Sequence, residues 1–288
     1  MTATSAAVTR WTVRPSIRLT ILTTLFVAMI VFIWLYPLAS VLGLTFNRVD
    51  ALMTPFSLVP KIVTFDVYKS LVTRYHMEIY VANTLKVAFG SAVLTVLSAT
   101  MAGYALGKMR FRGRDTIFFF VLTTMLLPAQ ATMAPTFVLL RKLQLLNTHM
   151  GLILPALGGG AWNIFLMRQF MLRMPDELLD AGRIDGCNEL GLFFRIVMPN
   201  MVGPVLVLAT LAVNAAWTQL IAPQIFIFDL DKQLVMPGIM TIRETYLTDP
   251  YGPVATLAAT FVATLLPVSL YAYSQRHFMS ALAGAIKG

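Results

Sequence analysis

Leu19-Thr-Ile-Leu-Thr-Thr-Leu-Phe-Val-Ala-Met-Ile-Val-Phe-Ile-Trp-Leu-Tyr-Pro-Leu-Ala-Ser-Val-Leu-Gly-Leu-Thr-Phe46 contains no Lys, Arg, His, Asp or Glu. A hydrocarbon core about 30 Å thick takes roughly 20 apolar helical residues, so this stretch is long enough to cross a bilayer. Five more segments share its character, at about Thr84–Gly107, Thr116–Leu140, Gly151–Met167, Met201–Phe228 and Tyr251–Ser274, and Lys86 is their one charged side chain. The chain is therefore predicted to be an all-α, polytopic membrane protein with six transmembrane helices. Within the fourth segment, Gly158-Gly159-Gly160 predicts a tight helix contact or a local break.

The whole 288-residue chain agrees, with 58% hydrophobic and 12% charged residues against about 25% charged in a soluble domain. That balance excludes a cytosolic enzyme, a disordered chain and a disulfide-stapled secreted domain. Cys187, the single cysteine, has no partner for an internal bridge. The net charge of +9 points to orientation rather than to nucleic acid, because no basic run is interleaved with aromatics as a single-strand groove requires.

Arg10, Arg14 and Arg18 precede a first apolar stretch nearly twice the length of a cleavable signal, so it reads as a retained signal anchor. With the N-terminus in the cytoplasm, the inside loops carry more Lys and Arg than the outside ones, led by the cluster Lys108-Met-Arg-Phe-Arg-Gly-Arg114; Arg141-Lys142 run against the trend. Both termini are expected inside. The outside connections then include about Asn47–Asn83 and Asp229–Pro250, and the longest inside connection is Arg168–Asn200.

That inside connection concentrates acidic residues: Asp176, Glu177, Asp180, Asp185 and Glu189. Pro175 suits a first helical position, Asp176 and Glu177 suit the positive end of the helix dipole, and Gly186 suits a left-handed stop. Asn188 is placed to cap a second helix, Glu189 to Met198, closed by Pro199. Leu178, Ala181, Ile184 and Asp185 fall near one face of the first helix, and Leu192, Phe193 and Ile196 form one on the second. A helix–glycine–helix elbow of this kind is suited to a cleft on a soluble partner.

Asp180-Ala-Gly-Arg-Ile-Asp185-Gly186, followed by Phe193, Ile196 and Pro199, resembles the EAA loop of ABC importer permeases. The Asp-Gly form and its downstream spacing resemble the carbohydrate branch, specifically the maltose-type second permease. Asn83-Thr84-Leu85, Gly103-Tyr104-Ala105-Leu106, Phe111-Arg112-Gly113, Asn147-Thr148, Gly151-Leu152-Ile153, Met174-Pro175, Pro267, Gln275-Arg276 and the ending Ala283–Gly288 extend it over about Ala82 to Gly288. The sequence departs from the motif at two positions: Asp180 stands for Glu, and Gly182 stands for the second Ala.

The resemblance implies a type I ABC importer transmembrane fold. The permease domain is expected over residues 79–288, with its coupling loop at 174–200, after an N-terminal part over residues 1–78. It implies a heterodimer with a second permease, an ATPase dimer that binds ATP and Mg, an extracytoplasmic solute-binding protein and a bacterial cytoplasmic membrane. No cofactor, metal or nucleic acid is expected on this chain. Glu177, Asp180, Ala181, Gly182, Asp185, Gly186, Phe193, Ile196 and Pro199 are then the candidates for ATPase coupling. Asp229, Asp231 and Lys232, the polar tip of an outside loop, are candidates for contact with the binding protein.

An engine on the chain itself has no support in the residues. Gly103-Tyr-Ala-Leu-Gly107-Lys108-Met109 is one residue short of a P-loop and lacks the hydroxyl, and Ala99, Gly103 and Gly107 read instead as a close-packing stripe. Ion-coupled carriers place acidic or histidine residues within the membrane, and the six segments hold none. An ion-coupled sugar carrier acting alone is the alternative these residues disfavour, and no catalytic pair appears. Gln130, Asn214, Trp217 and Thr218 are candidate pathway residues, since amides, hydroxyls and an aromatic plane suit sugar recognition. Interhelical hydrogen bonding is an equal reading of the same groups.

Overall fold

A computed structural model describes residues 17–46, 63–244 and 252–286, with side chains to residue 275 in the last stretch. Arg10 and Arg14, Arg48 and Lys61 of the outside loop, the end of the 229–250 loop, the Arg276 side chain and Lys287-Gly288 lie outside the described residues. By internal contacts the chain forms two compact units, residues 1–64 and 65–288.

The first unit holds α1 (Ile17–Thr45), apolar and exposed over most of its length. Pro37 sits inside it and removes one backbone donor, while the Ser40 hydroxyl donates to the Tyr36 carbonyl at 2.8 Å.

Among its described residues the second unit consists of helices joined by turns and loops, with no strand. Two long helices run unbroken, α3 (Met77–Lys108) after the short α2 (Asp66–Thr73), and α14 (Gly252–Ile286). With α1 they are, among the described residues, the three helices that are individually long and apolar enough to span. Three further candidate spans arise only as bent pairs. α4 (Arg114–Thr123) and α5 (Ala129–Lys142) meet at 102°. His149–Gly158, which begins with α6 (His149–Ile153), meets α7 (Ala161–Leu172) at 42°. Glu189–Asn200 meets α11 (Val202–Trp217) at 85°.

The structure corrects three sequence expectations. The segment 116–140 is two helices rather than one: Leu127, held extended by the following Pro128, ends a 3-10 turn at Thr124–Leu126 before α5 begins. The segment 201–228 is two helices, because α11 stops at Trp217 and α12 (Ile221–Phe226) starts after a three-residue gap. α3 begins at Met77, seven residues before the predicted Thr84.

Helix α3 is the hub of the second unit. The stripe Ala99, Gly103 and Gly107 faces α7 at very short range: a Cβ on Gly103 would lie 2.7 Å from Met167 Cβ, and one on Gly107 3.0 Å from Met171 Cβ. Gly159 and Gly160 adopt φ of +70° and +76°, and a Cβ on Gly159 would lie 3.0 Å from the Ala99 nitrogen. The glycine triplet is therefore both the break and the close contact. Met167, Met171, Leu179, Phe193, Val197 and Leu208 complete a core against the Lys108 end of α3.

Candidate functional site: an elbow and a pinned loop at opposite ends of one helix

The elbow forms as its residues dictate. α8 (Asp176–Ile184) starts one residue later than predicted, because Pro175 takes the extended capping position (ψ 134°). Gly186 has φ +82°, its N–H bonds the Arg183 carbonyl at 3.0 Å, and the Cys187 N–H bonds the Gly182 carbonyl at 3.0 Å. That is a Schellman stop, which requires the left-handed conformation glycine supplies. Asn188 Oδ1 then accepts the Gly191 N–H at 2.7 Å and caps α9 (Glu189–Leu192). A π-helical turn, Phe193–Val197, and α10 (Met198–Asn200) follow. Pro199 offers no N–H to the Arg195 carbonyl, so the regular ladder is interrupted there.

The two arms have different surroundings. On α8, Leu179 and Gly182 are buried, whereas Leu178, Ala181, Ile184 and Asp185 are exposed, Ile184 by 86%. Phe193 is buried against Tyr104, ring centroids 5.9 Å apart, and Ile196 packs against the same core. The face predicted on the second helix is thus turned inward, and Phe193 and Ile196 shape the elbow from beneath. Gly182 lies under the second arm: a Cβ there would collide with Ile196 Cδ1 and come within 2.6 Å of Leu192 Cδ2.

Polar links fasten the elbow to α3. Lys108 Nζ donates to the Met174 carbonyl and to Asp176 Oδ1, both at 2.6 Å. The Lys108 hydrogen bond and charge hold the Asp176 carboxyl below its ordinary range. The Tyr104 hydroxyl donates to Glu189 Oε2 at 2.6 Å, and Arg183 bridges Asp180 at 2.9 Å and Glu189 at 3.3 Å. A cavity of about 410 Å³ opens beside these groups, bordered by Lys108, Arg110, Asp180 and Arg183. Arg168 of α7 donates to the Leu106 carbonyl at 3.1 Å and lies 4.0 Å over the Phe118 ring.

At the opposite end of α3, Asp229, Asp231 and Lys232 sit on a loop pinned from several sides. Asn147 Oδ1 accepts the Phe228 and Asp229 N–H groups at 3.0 and 3.1 Å, and its Nδ2 donates to Asp229 Oδ2 at 2.7 Å. Lys232 Nζ donates to the same carboxylate at 2.7 Å. Lys232 and Asn147 together hold the Asp229 carboxyl below its ordinary range. Asn83 of α3 donates to the Asp231 and Gln233 carbonyls at 2.8 and 3.1 Å, and Thr84 accepts the Val235 N–H at 2.8 Å. Val235 opens α13 (Val235–Glu244).

The pathway candidates are dispersed. Gln130 is exposed on α5, and Asn214 and Thr218 are exposed at the end of α11. Trp217 is buried, and its indole N–H donates to the Ala263 carbonyl of α14 at 2.9 Å. Sequence reasoning missed Tyr104, Lys108, Asn83 and Asn147 as pins, since their partners lie far along the chain. Their only trace was an amide, hydroxyl or ammonium at the end of an apolar segment. Among the described residues, no group of three or more His, Cys, Asp or Glu side chains converges to hold a metal.

An all-α membrane chain with a helical elbow at one end of its hub helix and a braced loop at the other is the frame of a transport permease. Residues 99–280 match the family described as binding-protein-dependent transport system inner membrane component, and the chain belongs to it. It is 34% identical over 268 residues to the arabinooligosaccharides transport system permease protein AraQ of Halalkalibacterium halodurans, covering 91% of this chain and 94% of that protein. It is 29% identical over 223 residues to the lactose transport system permease protein LacG of Rhizobium radiobacter, covering 77% and 80%. The crystal structure of a bacterial ABC transporter involved in the import of the acidic polysaccharide alginate shares the fold, with TM-score 0.77, 20% identity, and coverage of 90% and 96%. The fold is thus that of an ABC importer permease, and the chain is a transport subunit of the inner membrane, not an enzyme. Membership favours a subunit of a multi-component importer over a carrier acting alone.

Proposed function

We propose that the chain carries a sugar or sugar-like solute inward, together with a second permease, an ATPase dimer that binds ATP and Mg, and an extracytoplasmic binding protein. The elbow at 174–200 is the ATPase contact, and both termini lie in the cytoplasm. Glu177, Asp180, Ala181 and Asp185 face the ATPase, while Gly182, Gly186, Phe193, Ile196 and Pro199 set the elbow's shape. The observation that carries this reading is the exposed face Leu178, Ala181, Ile184 on a helix too short to span a membrane, its opposite face fixed in the core. Exposed apolar surface rimmed by charge marks a protein contact.

On the other side, Asp229, Asp231 and Lys232 meet the binding protein, presented by a loop that needs little ordering on contact. Gln130, Asn214 and Thr218 offer neutral hydrogen-bonding groups to a hydroxyl-rich solute, with Trp217 bracing α11 on α14. Sugar as the solute class is supported by the names of the relatives. Ile184→Asp tests the central claim, because a side chain 86% exposed contributes little to folding. Membrane insertion is expected to be unchanged while the ATPase fails to copurify; full retention of the ATPase refutes the elbow contact.

A further inference from the structure

The elbow is covalently continuous with α7 and α11, yet its polar fastenings go to α3. Lys108 holds the start of α8 through Met174 and Asp176, and Tyr104, one turn earlier, holds the start of α9 through Glu189. The Lys108 side chain is 7% exposed and Tyr104 is 4% exposed. Arg183 closes the gap between the arms by bridging Asp180 and Glu189, so both arms and the end of α3 are one bonded unit.

The same helix is fastened again at its other end. Asn83 and Thr84 are buried, and between them they bond backbone groups of Asp231, Gln233 and Val235. Helix α3 spans 32 residues without a break, a rod of about 48 Å at 1.5 Å per residue. Its Lys108 end is closely packed along the glycine stripe against α7. Packed helices of this kind move as units rather than deforming continuously.

We infer that α3 is the mechanical link between the elbow and the 229–235 loop, with Tyr104 and Lys108 as positioning residues at one end and Asn83 and Thr84 at the other. A displacement of the elbow is delivered along α3 to the loop. By linkage, whatever biases the loop biases the elbow to the same degree. The inference rests on the elbow being the ATPase contact.

The test uses the full complex in proteoliposomes, with Cys187→Ser and Leu230→Cys introduced into this chain. Leu230 is 60% exposed at the loop tip. The maleimide labelling rate at position 230 is measured with and without a non-hydrolysable ATP analogue, which is the only ligand added. The rate is expected to change with nucleotide. Tyr104→Phe, Lys108→Met and Asn83→Ala should each cut the nucleotide-driven population ratio by about tenfold, the order of one charge-assisted or buried hydrogen bond. Lys108→Arg, which keeps the charge and the N–H donors, should retain most of the response, a rescue that loss of packing alone would not give. An unresponsive rate in the unsubstituted background overturns the inference. So does a full response in Tyr104→Phe and Asn83→Ala, or a response in Lys108→Arg as poor as in Lys108→Met. Copurification of the ATPase is recorded for every variant. Failure of the elbow reading appears as retention of the ATPase by Ile184→Asp, whereas failure of the rod appears as an unaltered labelling response in Tyr104→Phe and Asn83→Ala complexes although Ile184→Asp releases the ATPase.

Discussion

Asn147 grips Asp229 from two directions, accepting its N–H at 3.1 Å with Oδ1 and donating to its carboxylate at 2.7 Å with Nδ2. The grip requires Asn147 to sit at φ +59°, a left-handed conformation that asparagine tolerates better than most residues. Asn147→Ala loses the hydrogen bonds and adds backbone strain, whereas Asn147→Gly loses the bonds alone. Thermal unfolding of the purified chain is expected to show about 1–3 kcal/mol of destabilisation for Gly and about 1–2 kcal/mol more for Ala. Equal effects of the two would remove strain from the account.

The Asp229 carboxyl titrates below its ordinary range, held there by Lys232 and then by Asn147. A carboxyl whose folded pKa is depressed contributes stability that is fully present above its unfolded pKa and is lost as pH falls through the folded one. The loop is therefore expected to hold from neutral pH down to the usual carboxylate range and to loosen below it. Proteolysis of the loop as a function of pH reports this, and Asp229→Asn should flatten the acid limb. An acid limb unchanged by Asp229→Asn would place the titrating group elsewhere.

Three glycines separate packing from conformation. A Cβ on Gly103 would lie 2.7 Å from Met167 Cβ, Gly113 has open space but φ +87°, and Gly203 has open space within α11. Gly103→Ala is expected to cost about 1–3 kcal/mol by overpacking. Gly113→Ala should cost about 1–2 kcal/mol through its left-handed backbone, and Gly203→Ala should gain up to about 1 kcal/mol from helix propensity. Chemical denaturation in a single detergent compares the three, and a stabilising Gly103→Ala or Gly113→Ala, or a destabilising Gly203→Ala, contradicts the stated causes.

What the sequence made legible follows from locality. The Schellman stop at Gly186 and the Asn188 cap depend on residues within one turn, and the Ala99–Gly103–Gly107 stripe depends on helical periodicity, so each is readable from neighbours. The 102° break near Leu127 was not, because a proline in an apolar run is compatible with a kinked helix or with two helices, and packing decides between them. The end of α11 at Trp217 was hidden likewise: Thr218–Phe228 is apolar enough to continue, and only the turn to α12 ends it. Tyr104 with Glu189 and Asn83 with Asp231 pair across separations of 85 and 148 residues. No periodicity encodes such distances, so the pins of the candidate site appeared only when the fold brought them together.

Gly182 departs from the alanine of the loop motif it resembles, and helix propensity alone makes that departure unfavourable by about 1 kcal/mol. The structure supplies the compensation: the space a Cβ would take is filled by Ile196 Cδ1 and by Leu192 Cδ2. Both are tips of flexible side chains, so the conflict can be relieved by shortening one. Gly182→Ala alone is expected to be destabilising, overpacking of about 1–3 kcal/mol outweighing the propensity gain. Ile196→Val alone opens a small void and costs about 0.5–1.5 kcal/mol. Combined, the new methyl occupies the vacated space, and the double variant should be more stable than the sum of the singles by about 1 kcal/mol or more, within the range for residues in contact. Additive effects would show that the two arms are not packed through this point.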